Sequence, residues 1–351
     1  MTQSKIKVAI LCGGQSSEHE ISCISAAGIL SAIDRDRFEP VVIGITRQGK
    51  WVLVAEHSVL NRKGSTMPEI SSDLAQVTVD IHGFEVSGKK LDIDVIFPIL
   101  HGPYGEDGTV QGLCEMAGIR YVGSGVLASA VAMDKSFSKS IFTAHGLKVA
   151  NGIVLHAKQW SATQIDNLKY PLFVKPARSG SSRGTSKVKD SAHLAEAIKH
   201  AFEFDTKVLV EEAIVGREIE CGVLELAGTP HASTIGEIKI KGNHEFYDYE
   251  AKYLDDATEV VFPSDLPAGV EARIQDSAVK AFAALGCEGL ARVDFFYTDK
   301  GEIVINEINT MPGFTPSSMF PKLWSKAGTT YSEIITTLID AALVRSAHVT
   351  R

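Results

Sequence analysis

The sequence predicts an α/β and α+β protein: an open, Rossmann-like α/β domain at the N-terminus, followed by a pair of α+β lobes. Three observations carry this reading. Strand and helix patterns alternate over residues 1–125. Beyond residue 145 that alternation gives way to short strands flanking a single helix. Near the C-terminus a long hairpin pattern is closed by an amphipathic helix. At roughly 150 residues per domain, a chain of this length suggests two to three units.

Lys7–Cys12 reads as a buried strand running into Gly13-Gly14, followed by a helix over Ile21–Ile33 and a strand over Pro40–Thr46. Residues 56–73 keep no period and read as a surface loop. Val77–Val86 and Leu91–Leu100, with Gly88 between them, suggest a hairpin leading into a buried strand. A helix at Gly108–Ala117 and a short strand at Tyr121–Gly123 complete the first unit. Val126–His145 reads as one helix. Phe173–Lys175 and Val208–Glu211 are short strands around a helix at Ala192–Phe202. Glu218–Ile240 reads strand, turn, strand, whereas Lys241–Pro263 is polar, aromatic and irregular, the pattern of a functional lid. Gly269–Gly286 is helical, Leu290–Asn309 is a hairpin around Asp299-Lys300-Gly301, and Ser332–Val344 is the closing helix.

Hydrophobic residues make up 44% and charged residues 22% of the 351, near the soluble globular average, which excludes a disordered chain, a collagen repeat and a coiled coil. Thirty-five Lys+Arg against 43 Asp+Glu leave a net charge of −8. A basic footprint is missing, so nucleic acid is not expected as a partner. Five widely spaced cysteines without a Cys-x-x-Cys pair argue for reduced thiols and against a cysteine zinc site. The first apolar run is too short for a signal peptide, and no stretch approaches the ~20 apolar residues of a membrane span. A soluble, cytoplasmic protein is expected.

Gly83 to Lys89 matches most of a P-loop, but Lys90 stands where a Ser or Thr must hold Mg²⁺, and the segment opens no helix. It reads as a hairpin turn. Gly13-Gly14-Gln15-Ser16-Ser17 can turn the chain sharply and aim N–H groups at an anion. A plain strand-to-helix turn explains the glycines equally well, but not Glu18-His19-Glu20 at the helix mouth. His101 follows a buried strand, where ligands gather in open α/β sheets; the loop after it could also be only a helix cap at Asp107. Gly180-Ser181-Ser182-Arg183-Gly184 follows the strand carrying Lys175. With Lys135 on the earlier helix, it makes a credible phosphate clamp.

The strongest constellation lies in the C-terminal hairpin. Residues two apart on a strand share a face, so Arg292 and Asp294 point the same way, as do Glu307 and Asn309. The same alternation puts Ile303 and Ile305 on the Glu307 face, which therefore reads as core-facing. Unpaired carboxylates there would cost several kcal/mol. A hard cation bound by Asp294, Glu307 and Asn309 would cancel that cost; an Arg292–Asp294–Glu307 ion-pair network without metal is the alternative.

Together these residues resemble the D-alanine–D-alanine ligases of the ATP-grasp superfamily. The matching segments are LCGGQSSEHEIS (11–22), HGPYGEDGTVQG (101–112), MDKSFSK (133–139), FVKPARSGSSRGTSKV (173–188), EFYDYEAKY (245–253) and ARVDFF with INEINTMPGFTPSSMFPKL (291–323). They run in order nearly end to end. Ala177 and Pro316-Ser317 depart from the pattern, away from positions assigned to chemistry. Residues 55–92 look like the hairpin insertion of the longer members.

The resemblance implies an N-terminal substrate domain (1–125) and a two-lobed ATP-grasp fold, its central lobe at 126–215 and its C-terminal lobe, with the lid 241–263, at 216–351. It implies ATP as substrate and Mg²⁺ or Mn²⁺, two ions, at Asp294, Glu307 and Asn309. Lys135, Lys175 and Lys252 would hold the nucleotide, with Ser181 and Ser182 covering its phosphates. Glu211 would meet the adenine amino group, Ala213 and Ile214 would line the base, and Glu218 would take the ribose hydroxyls. Glu18 would receive the ammonium of the first D-alanine, with His101 beside it. Arg292 and the Gly313 N–H would form an oxyanion hole, and Ser318 and Met319 would bind the second carboxylate. Tyr253 would tie the lid to Ser181 and Glu18. A homodimer follows from the resemblance alone. Three readings stay open beside the dipeptide ligase: a D-alanyl-D-lactate or D-alanyl-D-serine ligase, a non-catalytic ATP or amino-acid binding protein, and a nicotinamide oxidoreductase, the last disfavoured by the missing dinucleotide fingerprint.

Overall fold

The computed structural model describes residues 4–60, 68–240, 258–263 and 265–345. The chain begins with β1 (Ile6–Gly13), β2 (Phe38–Ile45) and β3 (Trp51–Val54), makes a three-stranded meander of β4 (Val77–Asp80), β5 (Gly83–Val86) and β6 (Lys89–Leu91), and returns through β7 (Val95–Pro98) and β8 (Arg120–Tyr121). The N-terminal sheet has the order β3-β2-β1-β7-β8, with β1 parallel to both β2 and β7. A central parallel strand is covered on both faces, so it is apolar throughout. Val8, Ile10 and Cys12 feed one core, and Ala9 and Leu11 the other. The helix His19–Ala32 starts two residues before the expected one and packs Ala26, Ile29 and Leu30 into the first of these cores.

Several expectations need correction here. The stretch read as loop over 56–73 contains a short helix, Glu56–Leu60, and β3 was not anticipated: four residues show too little alternation to stand out. The helix expected over Val126–His145 is two, Val126–Met133 and Lys135–Ala144. Between them Asp134 leaves helical geometry, and its carboxylate accepts from the N–H groups of Ser136 and Phe137. A side chain that satisfies orphan donors starts a new helix.

The central lobe is an antiparallel sheet of β9 (Gly152–His156), β10 (Leu172–Pro176), β11 (Ser186–Val188) and β12 (Lys207–Glu212), ordered β11-β10-β12-β9. Leu155, Leu172, Val174 and Val208 pack with Ala197 and Ile198 of the helix Leu194–Phe202 into a core of their own. The C-terminal sheet, β15-β14-β13-β16-β17, is built from β13 (Gly216–Leu226), β14 (Thr229–Ile240), β15 (Thr258–Val261), β16 (Leu290–Thr298) and β17 (Ile303–Asn309). The helix Val270–Ala284 covers one face. The helix Met319–Lys326, absent from the sequence reading, lies against β13 and β14. The expected lid segment 241–263 falls mostly outside the described residues; its described end forms β15, an edge strand on β14.

One apolar cluster joins the N-terminal sheet to the C-terminal helices. Val8 and Phe97 share it with Phe314, Phe320, Trp324 and Leu338, the Phe97 and Phe314 rings lying 5.8 Å apart. The N-terminal sheet and the C-terminal lobe therefore form a continuous wall, and the central sheet stands across a cleft from it. No helix among the described residues is long and apolar enough to cross a membrane.

Candidate active site

One half of the cleft lies between the central and C-terminal sheets. It is lined by Lys135, Lys175, Ser181, Ser182, Glu211, Ile214, Glu218, Asp294 and Glu307, with Phe173, Phe296 and Val304 as apolar walls. Glu211 on β12 is the cross-strand partner of Phe173 on β10, and Lys175 lies two residues further along β10 as its diagonal neighbour, so the antiparallel pairing brings the two side chains together: Lys175 Nζ is 2.7 Å from Glu211 Oε2. Lys139, one helical turn past Lys135, reaches Glu211 Oε1 at 2.6 Å. Burial would raise the Glu211 pKa, but the two lysines outweigh it and hold the carboxyl below its usual range. Burial draws the Lys139 amine down to about 8, Lys175 adding to that and Glu211 opposing it. Ala213 is not part of the cleft wall; its N–H donates to Pro171 O at 2.9 Å.

The other half lies between the N-terminal domain and the C-terminal lobe, lined by Glu18, His101, Glu106, Arg292, Asn309, Gly313, Ser318 and Met319 among others. Gly13, at the end of β1, has φ +87, and a Cβ there would meet Ile45 O at 2.3 Å, so only glycine makes the turn that delivers Glu18. Ser181 Oγ donates to Glu18 Oε1 at 2.6 Å. Ser181 and Ser182 both adopt left-handed backbone, φ 50 and 58, an uncommon conformation for non-glycine residues. His101 is buried; its Nδ1 faces Met311 O at 3.0 Å and its Nε2 faces Ser25 Oγ at 3.2 Å. A carbonyl only accepts, so Nδ1 carries the proton and Nε2 accepts from the serine. Burial lowers the His101 pKa, against the pull of Glu18. The histidine thus pins the Met311 loop as well as bordering the cavity. Ser318 is the N-cap of the helix Met319–Lys326, whose first N–H groups are suited to a carboxylate.

The hairpin β16–β17 holds the acidic set. Asp294 is cross-strand partner to Glu307, and Phe295 to Ile305, so Asn306 is the extra residue of a bulge. A bulge flips the alternation beyond it. Ile305 and Ile308 therefore pack in the core while Glu307 and Asn309 face the cleft. The expectation that Glu307 shares a core-facing surface with Ile303 and Ile305 is corrected accordingly. Arg292 donates through Nε and Nη2 to Asp294, each at 2.8 Å, and its Nε also lies 2.9 Å from Glu220 Oε2. Asn309 Nδ2 donates to Asp294 Oδ2 at 3.1 Å, and Lys135 Nζ is 3.1 Å from Glu307 Oε2.

This donor set fits a magnesium-type ion. Among the described residues no three His, Cys, Asp or Glu cluster as metal ligands. Two carboxylates and one amide oxygen leave open coordination positions for phosphate oxygens and water, the usual manner in which Mg²⁺ is held. The lysines and Arg292 meanwhile balance the carboxylates.

Tyr253 and Lys252 lie outside the described residues. Every other expected site residue except Ala213 lines one half of the cleft or the other. Three residues were missed. Lys139 is spaced i+4 from Lys135, which could have flagged it. Glu220 lies two residues from Glu218 on one strand face. From sequence Glu106 reads as part of a capping loop, yet its Oε2 accepts from Gly102 N–H at 2.7 Å and its Oε1 from Met311 N–H at 3.2 Å.

Similarity to known proteins places the chain in a family. Family models described as D-ala D-ala ligase N-terminus and C-terminus match residues 7–124 and 141–340. The chain belongs to the D-alanine–D-alanine ligase family. Within that family it is 50% identical to the D-alanine–D-alanine ligase of Arthrobacter sp. (strain FB24), over 97% of this chain and 95% of the relative. It is 46% identical to that of Rhodococcus jostii (strain RHA1), over 98% and 99%. Among solved structures it is similar to the VanG D-Ala:D-Ser ligase of Enterococcus faecalis (38% identity, TM-score 0.86, 97% and 100% covered). The D-alanine–D-alanine ligase of Coxiella burnetii superposes nearly as well (34%, 0.85, 97% and 94%). That of Bacillus anthracis complexed with ATP gives 29% identity and TM-score 0.74 over 96% and 97%. The family fold is ATP-grasp, and the two sheets facing each other across the cleft are its two lobes.

Proposed function

We propose that this ligase joins two D-alanines to D-alanyl-D-alanine at the expense of ATP, through a D-alanyl phosphate, for peptidoglycan precursor synthesis in the cytoplasm. We further read the chain as three units, 1–125, 126–215 and 216–351, working as a homodimer. The observation that carries the reading is the meeting of three elements at one point. The serine loop of the central lobe bonds Glu18 of the N-terminal domain, and Arg292 of the C-terminal lobe borders the same cavity.

Lys135 and Lys175 hold the phosphates, and Ser181 and Ser182 close over them. Glu211 accepts from the adenine amino group beside Ile214, and Glu218 takes the ribose. Asp294, Glu307 and Asn309 would hold two Mg²⁺ or Mn²⁺ ions, which when bound neutralise charge on the transferring phosphoryl group. Glu18 pairs with the ammonium of the first D-alanine, which leaves its carboxylate free to attack the γ-phosphorus; ADP departs and the acyl phosphate forms. The neutral amine of the second D-alanine, its carboxylate on Ser318 and the Met319 N–H, attacks the acyl carbon. Arg292 and the Gly313 N–H receive the oxyanion. Collapse expels phosphate and leaves the dipeptide. An acyl phosphate exposed to water would hydrolyse, so the site must close during turnover.

The likeness to a D-Ala:D-Ser ligase favours a second reading in which the acceptor is D-serine. An ADP-release assay with D-alanine, D-serine and D-lactate as acceptors separates the two. D-alanine is expected to give the highest kcat/KM, and a preference for D-serine would replace the dipeptide reading. Tyr253→Phe is expected to slow dipeptide synthesis and admit D-lactate, because D-alanine arrives largely as an ammonium that polar partners must hold and help to deprotonate before its nitrogen can attack, whereas D-lactate arrives with a neutral hydroxyl. Unchanged acceptor ratios from pH 6 to 9 would remove Tyr253 from acceptor choice.

A further inference from the structure

Glu211 is one buried anion held by two cations. Its carboxylate lies between Lys139 at 2.6 Å and Lys175 at 2.7 Å, and all three side chains border the nucleotide half of the cleft. Glu211 is 3% exposed and Lys139 6%. A single lysine balances the carboxylate only while it stays beside it, so the second matters when the first is drawn elsewhere. Lys175 has a second contact, Asn306 Oδ1 at 3.3 Å on the bulge of β17, which turns it toward the acidic hairpin where the phosphates are proposed to lie. Lys139 is rooted in the buried face of the helix Lys135–Ala144 and points to Glu211.

The charge state of Glu211 decides which base it can read. An ionised carboxylate only accepts hydrogen bonds, so it welcomes the amino group of a 6-aminopurine and repels the carbonyl of a 6-oxopurine. A buried carboxylate stripped of its counter-charge takes up a proton instead. It then donates, and a 6-oxo group becomes acceptable.

We propose that Lys139 is a specificity-determining positioning residue: it keeps Glu211 ionised and aimed at the base while Lys175 turns to the phosphates, so that the cleft selects a 6-aminopurine nucleotide over a 6-oxopurine one. The inference rests on the reading of Glu211 as the base contact and deepens it. The division of labour follows from the contacts, since Lys175 also reaches Asn306 on the acidic hairpin, whereas Lys139 meets Glu211 from the buried face of its helix. Burial draws Lys139 down only to about 8, so it stays charged at neutral pH.

The test compares ATP with ITP, which shares the sugar and phosphates and carries a 6-oxo group. KM, kcat and calorimetric Kd are measured for both nucleotides. The wild-type enzyme is expected to favour ATP by at least about tenfold. Lys139→Met and Lys139→Gln are expected to raise KM and Kd for ATP about ten- to a hundredfold, the usual effect of spoiling a charged hydrogen bond. Both variants should leave the values for ITP unchanged or lower, with kcat within a few fold. Lys139→Arg should restore the wild-type ratio. If Lys139→Met does not fold, Lys139→Gln, of nearly equal length and still a donor, decides. A wild-type ATP/ITP ratio in the uncharged variants overturns the proposal, whatever happens to kcat. Glu211→Gln separates the two readings. Should its ratio also stay at the wild-type value, the base contact at Glu211 falls; should its ratio collapse while the Lys139→Gln ratio does not, only the role of Lys139 falls.

Discussion

Ser181 Oγ donates to Glu18 Oε1 at 2.6 Å, across 163 residues of sequence. The bond latches the loop after β10 to the mouth of the first helix. Its neighbourhood is tight: a Cβ on Gly180 would sit 2.9 Å from Glu18 Oε2, so the loop approaches the carboxylate through a glycine. A hydrogen bond to a charged acceptor contributes about 1.5–3 kcal/mol, or roughly ten- to a hundredfold in rate if it is expressed in the barrier. Ser181→Ala is therefore expected to lower kcat/KM for D-alanine by that factor at an unchanged melting temperature. Glu18→Gln is expected to raise the first-site KM for D-alanine far more than the KM for ATP. Initial rates over a D-alanine and ATP grid distinguish the two variants, and an unchanged first-site KM would sink the Glu18 assignment.

The hairpin acids give a metal-dependence prediction. Glu307→Gln keeps volume but removes one of two carboxylates, and the set has no third to replace it among the described residues. Turnover is expected to vanish with the fold retained, and chelation of wild-type protein should mimic it reversibly. Direct Mn²⁺ binding, followed by paramagnetic resonance in the presence of ADP, should weaken at least tenfold. Full activity in the variant would remove the metal role of Glu307.

Glu106 makes stability depend on pH in a defined direction. Burial, then the nearby Glu18 charge, push its pKa from 4.5 to about 8, against the Gly102 and Met311 N–H groups and Arg292. The folded pKa is raised, so the contribution is fully present below pH 4.5 and is lost as pH rises through about 8. The interval corresponds to an upper bound on the order of 5 kcal/mol. The urea midpoint of the wild-type protein should fall between pH 5 and 8 more steeply than that of Glu106→Gln, which has no proton to lose. Parallel midpoints over that range would show that Glu106 is already ionised at pH 5.

Much of this site is readable from sequence because it is carried by local patterns. Lys175 before a Gly-Ser loop and Asp294 opposite Glu307 on a hairpin are short-range features whose chemistry follows from spacing. What stayed hidden depends on register and on distant packing. The bulge at Asn306 inverts which face Glu307 occupies, and nothing in INEIN marks one extra residue. Glu220 looks like an ordinary strand acid until β13 is paired with β16, which sets it beside Asp294. Glu106 acquires its role only when Met311, 205 residues away, arrives above it. The break at Asp134 was visible in principle, since an aspartate followed by Lys-Ser is a good cap, but the surrounding apolar period masked it.

Arg292 supplies the last prediction. Its guanidinium is held from two sides, by both oxygens of Asp294 and by Glu220 on the neighbouring strand. Glu220 is 5% exposed, and an acid so buried keeps its charge only beside a cation. If Asp294 turns to a metal ion during turnover, Glu220 is the remaining anchor that holds the arginine in the place proposed for it, beside the reacting carbonyl. Glu220→Gln leaves the strand and the volume intact but loosens that anchor. The expected result is a fall in kcat of about tenfold with KM for ATP unchanged, since the arginine is needed most when the oxyanion forms. Arg292→Lys should cost more, about a hundredfold or beyond, because a single ammonium cannot serve both carboxylates and an oxyanion as a planar fork does. Steady-state kinetics on both variants, with melting temperatures as the control for folding, check the order. A Glu220→Gln enzyme whose KM for ATP rises while kcat holds would move Glu220 from the arginine to the nucleotide.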